Sequence, residues 1–424
     1  MTEKSEAKLL NLRFPYQDTW DVSQEHLTFE LKNLELGFVN SLERIILSNI
    51  PSVGFNVRPI ETSQIKIYKN NTPFENEFIS HRMGCIPIHL NADTFDPADY
   101  SFVINKQNAS KDYMEVTSED IQVIKLSDNQ HLTKDQTRKI FPADPLTGDF
   151  IPITKIIPWE DKTADQPAFH SECKAMISTS LVNASFSQVS AVAHSFKIDP
   201  EHYQRKFQKY IKDQQSEYQR INKILKEYDP DYLDEGFKKT EEEMKRKFDI
   251  LEAERCYYQN VDEDPYWFDM LIESIGIHSP VILLDKGLDI MISKLNTFTE
   301  LLETPVDGQL EVTNGYNGMD RAYCITLYNE NETMGNLISS HLRKYYVEEN
   351  PQMSAVGFNR SHPLKKSVMI YINPKKDSNN DWGTIRGFVI DTCSRIVKIA
   401  KDLKTELQNN NIYKSKISKK SSKK

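Results

Sequence analysis

One succession of extended and helical patterns occurs twice in this chain, and that recurrence restricts the fold more than any other feature. Near the N-terminus Leu27, Phe29 and Leu31 alternate with Thr28, Glu30 and Lys32, the period of a half-buried strand. The segment after Gly37 then places Phe38, Leu42, Ile45 and Ile46 on one helical stripe, which Pro51 stops. Far downstream Ile325 and Leu327 flank Thr326 in a second strand. Asn331-Glu332-Thr333 offers helix caps, and Leu337, Ile338, Leu342 and Tyr346 line one side of the helix that follows. The tetrapeptide Val-Gly-Phe-Asn stands after both helices, at Val53 and again at Val356, which suggests the same structural step in each half.

Beyond that step the halves differ. The second runs directly through Ser361-His362-Pro363 into a strand at Ser367–Asn373, whereas the first interposes about two hundred residues before its matching strand, Trp267–Ser274. Each half closes on an amphipathic helix, carried by Leu284, Leu288, Met291, Ile292, Leu295 and Phe298 in the first. Ile385, Phe388, Val389, Ile396, Ile399 and Leu403 carry it in the second. Two related units in tandem, one of them interrupted, account for this pattern.

The interruption is composite. Ile60–Lys197 reads as strand-rich, with turn signals at Pro73, Asp96-Pro97, Pro145–Gly148 and Pro158. Glu201–Asp262 is highly charged, with Phe207, Ile211, Ile221 and Leu225 at helical spacing, and reads as a solvated helical hairpin or a short coiled coil, broken near Asp229-Pro230. The last segment, Tyr413–Lys424, carries six lysines and no acid and is expected to be disordered.

Charge and motifs narrow the function. The 53 basic and 62 acidic residues leave a net charge of −9, which argues against a protein whose main work is coating nucleic acid. No apolar run approaches the roughly 18 residues of a membrane span, and Met1–Glu6 does not read as a secretory signal. A soluble intracellular protein without membrane contact is expected. Its five cysteines are dispersed, and His170 with Cys173 forms the only close pair, two ligands short of a structural zinc site. Phosphate-binding glycine loops, nucleophile elbows and zincin helices are all lacking, so neither catalysis nor a cofactor or metal is expected.

One further segment stands out. Glu77-Phe78-Ile79-Ser80-His81-Arg82-Met83-Gly84 reads as a short helix capped near Gly84, and Cys85–Ile88 as the start of a strand. Taken with Phe38–Leu47, it resembles the α-like subunits of cellular RNA polymerases. The first half is similar to the third-largest subunit of eukaryotic polymerase II and to its D-type archaeal counterpart, with Phe268–Gly276 similar to the family's Val-Glu-Ser-x-Gly strand. The second half is similar to the eleventh subunit and its L-type archaeal counterpart, through Asn331–Ile338, Val356-Gly357-Phe358 and His362-Pro363-Leu364. Between 89 and 262 the match is thin, with Asn183–Ser190 its best fragment.

The resemblance implies an α+β fold with two dimerisation units in tandem, each an antiparallel sheet with two helices. The expected boundaries are 1–58 and 263–303 for the first unit, and 59–262 for a strand-rich inserted domain with its helical extension at 201–262. The second unit follows at 304–410, then the tail at 411–424. It further implies a non-catalytic assembly platform that binds the largest and second-largest polymerase subunits and the small zinc-containing subunits, and meets DNA only through the assembled complex. Paired halves leave no face for a homo-oligomer. Asn40, Leu42, Arg44, His81, Arg82, Gly335, Asn336 and Leu337 are the residues it points to for partner binding, with Arg44, His81 and Arg82 near the junction with the second-largest subunit.

This chain also departs from the family. Glu43 stands at the first of two family arginines, the metal-binding cysteines of some relatives are missing, and the bacterial α subunit's DNA-binding C-terminal domain has no counterpart. Fusion of two such subunits is reminiscent of large cytoplasmic DNA viruses. A viral protein would work in the host cytoplasm and virion, a cellular one in the nucleus. The rival reading is an architectural protein of some other complex.

Overall fold

The computed structural model describes residues 6–18, 24–160, 163, 165–229, 236, 240–316, 318–360, 362–376 and 381–421. The first unit opens with β1 (Lys8–Arg13), β2 (His26–Lys32) and α1 (Leu36–Ser48). The inserted domain follows. Its elements are β3 (Ser52–Gly54), β4 (Ile65–Asn70), α2 (Asn76–Gly84), β5 (Tyr100–Gln107), β6 (Met114–Thr117), β7 (Gln122–Lys125), β8 (Gln130–His131), α3 (Lys134–Ile140), β9 (Pro152–Ile156), β10 (Ala168–Cys173) and β11 (Met176–Ser178). The chain returns through β12 (Val189–Phe196), leaves again as a hairpin of α4 (Pro200–Tyr228) and α5 (Glu241–Leu251), and completes the unit with β13 (Trp267–Ser274) and α6 (Pro280–Glu303). The second unit comprises β14 (Leu310–Tyr316), β15 (Met319–Tyr328), α7 (Glu332–Arg343), β16 (Met353–Asn359), β17 (Ser367–Pro374) and α8 (Trp382–Asn409), and α9 (Asn411–Ser421) follows it.

The two units share one topology. Their antiparallel sheets run β1-β2-β13-β12 and β14-β15-β17-β16, so each has the spatial order first, second, fourth, third. In each, one helix follows the second strand and another follows the fourth. The reason lies in the pattern of burial: β13 throughout, and β17 from Val368 onward, alternate buried and half-buried positions, so one face is covered by helix and the other is partly open.

This topology corrects three expectations. The counterpart of β16 is β12, not the segment after Pro51. Val53 and Phe55 pack in the inserted domain, where β3 pairs with β11, so the shared tetrapeptide is a coincidence of sequence. The inserted domain therefore begins near Ser52 rather than 59, and residues 59–262 are not one block, because β12 pairs along its length with β13 of the dimerisation sheet. Cys85–Ile88, expected to begin a strand, does not do so either. Ile86 and Ile88 are buried, but their segment is tied by single hydrogen bonds, such as His89 N–H to the Ile140 carbonyl at 3.0 Å.

The helical extension has a small core of its own, Phe207, Phe248 and Cys256 with Tyr203, Tyr210 and Ile211 packed against it. Asp199 caps α4, its side chain accepting from the N–H groups of Glu201 and His202, and Pro200 occupies the first turn, where its missing N–H costs nothing. Asp229 closes the helix; Pro230 lies outside the described residues.

The C-terminal tail differs from expectation as well. Residues 411–421 are helical, because Tyr413 is buried against the core and its hydroxyl donates to Asp285 at 2.9 Å. One anchored aromatic ring offsets the low apolar content that suggested disorder. Residues 422–424 lie outside the described residues.

Candidate functional site: the seam between the two units

A single apolar core runs through both units. Leu42, Ile45, Leu284, Leu288 and Leu295 of the first and Leu337, Ile338, Ile385, Val389 and Ile396 of the second are all at most 1% exposed within it. The four helices make this core by packing α1 against α7 and α6 against α8. Close approach is achieved with small residues. A Cβ added at Gly287 would lie 2.6 Å from Ile46 Cγ1, and one added at Gly37 would strike Ser340 across the seam.

Polar contacts at the margins set the register. The Arg44 side chain donates Nε–H to Thr333 Oγ1 at 2.9 Å, and the buried Ser41 hydroxyl lies 2.7 Å from the Gly37 carbonyl and 3.3 Å from the Thr333 carbonyl. Lys344 pairs with Glu35, Lys294 with Glu330 at 2.6 Å, and Lys404 with both Asp285 and Asp289. The Leu9 N–H donates to Glu406 at 2.6 Å, tying the first strand to the last long helix. Each ion pair is partly exposed and contributes at most about 1 kcal/mol, whereas each fully buried leucine contributes roughly 1.5–3 kcal/mol. The apolar seam therefore dominates the affinity of the halves, and the charges align it.

The eight residues singled out by sequence fall into four groups. Leu42 and Leu337 are fully buried in the core that joins the units, where no outside subunit can reach them. Gly335 lies beneath the second sheet, where an added Cβ would sit 2.6 Å from Val368 and 3.1 Å from Phe358. Arg44 is exposed but engaged by Thr333, while Asn40 and Asn336 are half-buried beside the same crossing.

His81 and Arg82 are elsewhere, on α2 of the inserted domain. His81 is exposed, whereas Arg82 is half-buried and donates Nη2–H to the Pro152 carbonyl at 2.6 Å. A groove of about 850 Å³ runs alongside, lined by Arg58, Glu61, Ile67, Glu77, Ser80 and His81 among others. Glu43, the departure from the family pattern, pairs with His194 on β12 and so braces α1 against its own sheet. Glu35, Gly37, Ser41 and Thr333 belong to the seam yet escaped the sequence reading, since small and polar residues interrupt the apolar pattern that reveals helix faces.

His170 and Cys173 do not act together. The His170 ring packs on Tyr68, while Cys173 is buried and its thiol is pushed up to about 12 by that burial. Among the described residues no three histidine, cysteine or acidic side chains are grouped to hold a metal. No described helix is long and apolar enough to cross a membrane.

Burial has a consequence for acid stability. His341 on α7 is 1% exposed, and its pKa is lowered from 6.5 to about 4, chiefly by loss of solvent, with Lys344 adding to it. His89 is lowered to about 4 for the same reason. A histidine that stays neutral when folded binds fewer protons than the unfolded chain between pH 6.5 and 4. Stability is therefore full above about pH 6.5 and falls as pH drops through that window, by up to on the order of 3 kcal/mol per residue. Denaturant melts of His341→Leu should show a shallower pH slope than wild type between pH 6.5 and 4; an unchanged slope would mean that this histidine is not the source.

Two small sheets of one topology are thus joined through their helices into one core. The chain belongs to the family of the RNA polymerase Rpb3/Rpb11 dimerisation domain, whose pattern matches residues 28–295. It is 25% identical over 300 residues to the DNA-directed RNA polymerase II subunit RPB3 of Schizosaccharomyces pombe, covering 68% of this chain and 88% of that protein. The Conjugation stage-specific protein of Tetrahymena thermophila is 23% identical over 322 residues, 68% of this chain and 94% of the relative. A shorter match, 27% over 74 residues, links 18% of this chain to 26% of the DNA-directed RNA polymerase subunit Rpo3 of Pyrococcus horikoshii. The family match ends before β14, so the second unit is tied to the first by topology.

Proposed function

We propose that this chain is a non-catalytic assembly platform of a DNA-dependent RNA polymerase, in which two α-like subunits are fused and pair within one polypeptide. The observation that carries this reading is the apolar core shared by the two units of like topology. With that seam closed, the surfaces left for the two large subunits lie on the outer faces and on the inserted domain, and the exposed His81 beside its groove is the docking candidate there. The small zinc-containing subunits would join the same assembly.

Affinity purification of the tagged chain from its native source tests the reading. Stoichiometric recovery of the largest and second-largest polymerase subunits is expected, and their consistent absence would overturn it. Residue roles separate in the same assay. His81→Glu should weaken capture of the second-largest subunit about tenfold or more while leaving the melting temperature unchanged. Arg44→Ala and Arg82→Ala should instead cost about 1–2 kcal/mol of stability, because each loses an internal hydrogen bond. Loss of stability in His81→Glu with normal capture would remove His81 from the docking face.

A further inference from the structure

The α4–α5 hairpin has no part in the seam, and the face of α4 turned away from α5 is unusual in its chemistry. Arg205, Lys209, Lys212, Arg220 and Lys223 follow one another at intervals of three, four or eight residues, so they share one side of a 29-residue helix. All five are exposed, and among the described residues none enters an ion pair. Gln208, Ser216 and Gln219 fill the remaining positions between Arg205 and Lys223, also exposed, so that stretch of the side offers hydrogen-bond donors without a carboxylate. Glu201 and Glu227 lie only at its ends and Asp213 at its margin. An ordinary solvated helix interleaves both signs, which gains stability from neighbouring pairs. Here a chain with net charge −9 concentrates cations along about 27 Å, taking roughly 1.5 Å of rise per residue.

We propose that this face binds the phosphate backbone of duplex DNA, a direct contact beyond the platform role and beyond the expectation that DNA is met only through the assembled complex. Arginine, lysine, glutamine and serine are the side chains that contact phosphate, and such contacts position a protein without reading sequence. A single strand is the weaker fit. Its binding relies on aromatic platforms, and the cationic side of α4 carries none: Tyr203, Phe207 and Tyr210 pack around Phe248, and helical spacing puts Tyr218 and Tyr228 away from the cations as well. The base of the arm is held rigid by the cap at Asp199 and by the bridge between Ile198 and Tyr257.

The test measures binding of the full chain to a labelled DNA duplex of about 30 base pairs as salt is varied. The comparison is a variant with R205Q, K209Q, K212Q, R220Q and K223Q, which keeps helix propensity. Both proteins carry the same C-terminal lysines, so the difference reads α4 alone. Five phosphate contacts predict a slope of log affinity on log salt of about −4.5, or about 500-fold weakening from roughly 50 to 200 mM salt. The variant should bind at least tenfold more weakly at low salt and with a much shallower slope, with helicity unchanged by circular dichroism. Equal affinity and slope for the two proteins would overturn the proposal, as would a preference for single-stranded RNA lost in the variant. If the variant binds DNA normally but no longer recovers a large subunit, the face serves an acidic protein surface instead. Because binding is measured on the free chain, failure here leaves the platform reading standing.

Discussion

Leu337→Asp should abolish the soluble, paired form of this chain. Leu337 is fully buried on α7 at the crossing with α1, in the core that joins the two units. An aspartate there has no partner, and an unpaired buried charge costs several kcal/mol on top of the lost apolar contact. Net stabilities of folded domains are only about 5–15 kcal/mol, so one such residue removes most of the margin. Leu337→Ala creates a cavity without a charge and should cost about 2–5 kcal/mol, leaving a folded protein with a lowered melting temperature. Leu364→Asp is the matched control, since Leu364 is 87% exposed and its loss should fall within about 0.5 kcal/mol. The inserted domain has a separate core, so a residual transition should survive in the aspartate variant. A Leu337→Asp chain that melts like wild type would show that the seam is not what holds the units together.

Much of the architecture is legible in the sequence because it rests on periodicity. Alternation in Trp267–Ser274 and the apolar spacing of Leu284–Phe298 and Ile385–Leu403 report a strand and two helices directly, since one face of each meets the core and the other meets water. The return of the chain to its first sheet is not legible in this way. β12 alternates no more clearly than the strands of the inserted domain, and only its pairing with β13 separates them. The tetrapeptide after Pro51 misled for a related reason: four residues specify an extended segment, but not which sheet it joins.

The candidate site shows the same division. Leu42 and Leu337 are found as apolar helix positions, yet their burial in one shared core depends on which helices cross. Thr333 looks like a helix cap and does sit in the first turn of α7, where Asn331 caps it, but its hydroxyl also receives Arg44 from 289 residues away. Glu43 is comparable. In sequence it is only a missing arginine, and in the structure it meets His194 on a strand that the linear order had assigned to another domain. Long-range polar contacts of this kind leave no local pattern, so they emerge only with the fold.

Gel filtration with light scattering should return a mass near 49.2 kDa for the free chain, that of one copy. Both halves of the seam come from a single polypeptide, and α6 ends at Glu303 only a few residues before β14 begins at Leu310. Such a short connection holds the second unit near the first at an effective concentration on the order of millimolar. A lone unit would expose helix faces that obligate interfaces bury to about 2,000 Å² or more, a patch that soluble proteins seldom leave open. The competing arrangement exchanges halves between two chains, which a short linker can also favour. Cutting the chain between Asp307 and Gly308 distinguishes the two by their dependence on the connection. If the pairing is intramolecular and held by the seam, the two fragments should copurify one to one when produced together, and each alone should aggregate. The intact chain should meanwhile stay monomeric across dilution. A stable intact species of about twice the mass, persisting on dilution, would replace internal pairing with exchange. Fragments that are soluble and separate would show that the core seen between α1, α6, α7 and α8 contributes little to holding the halves together.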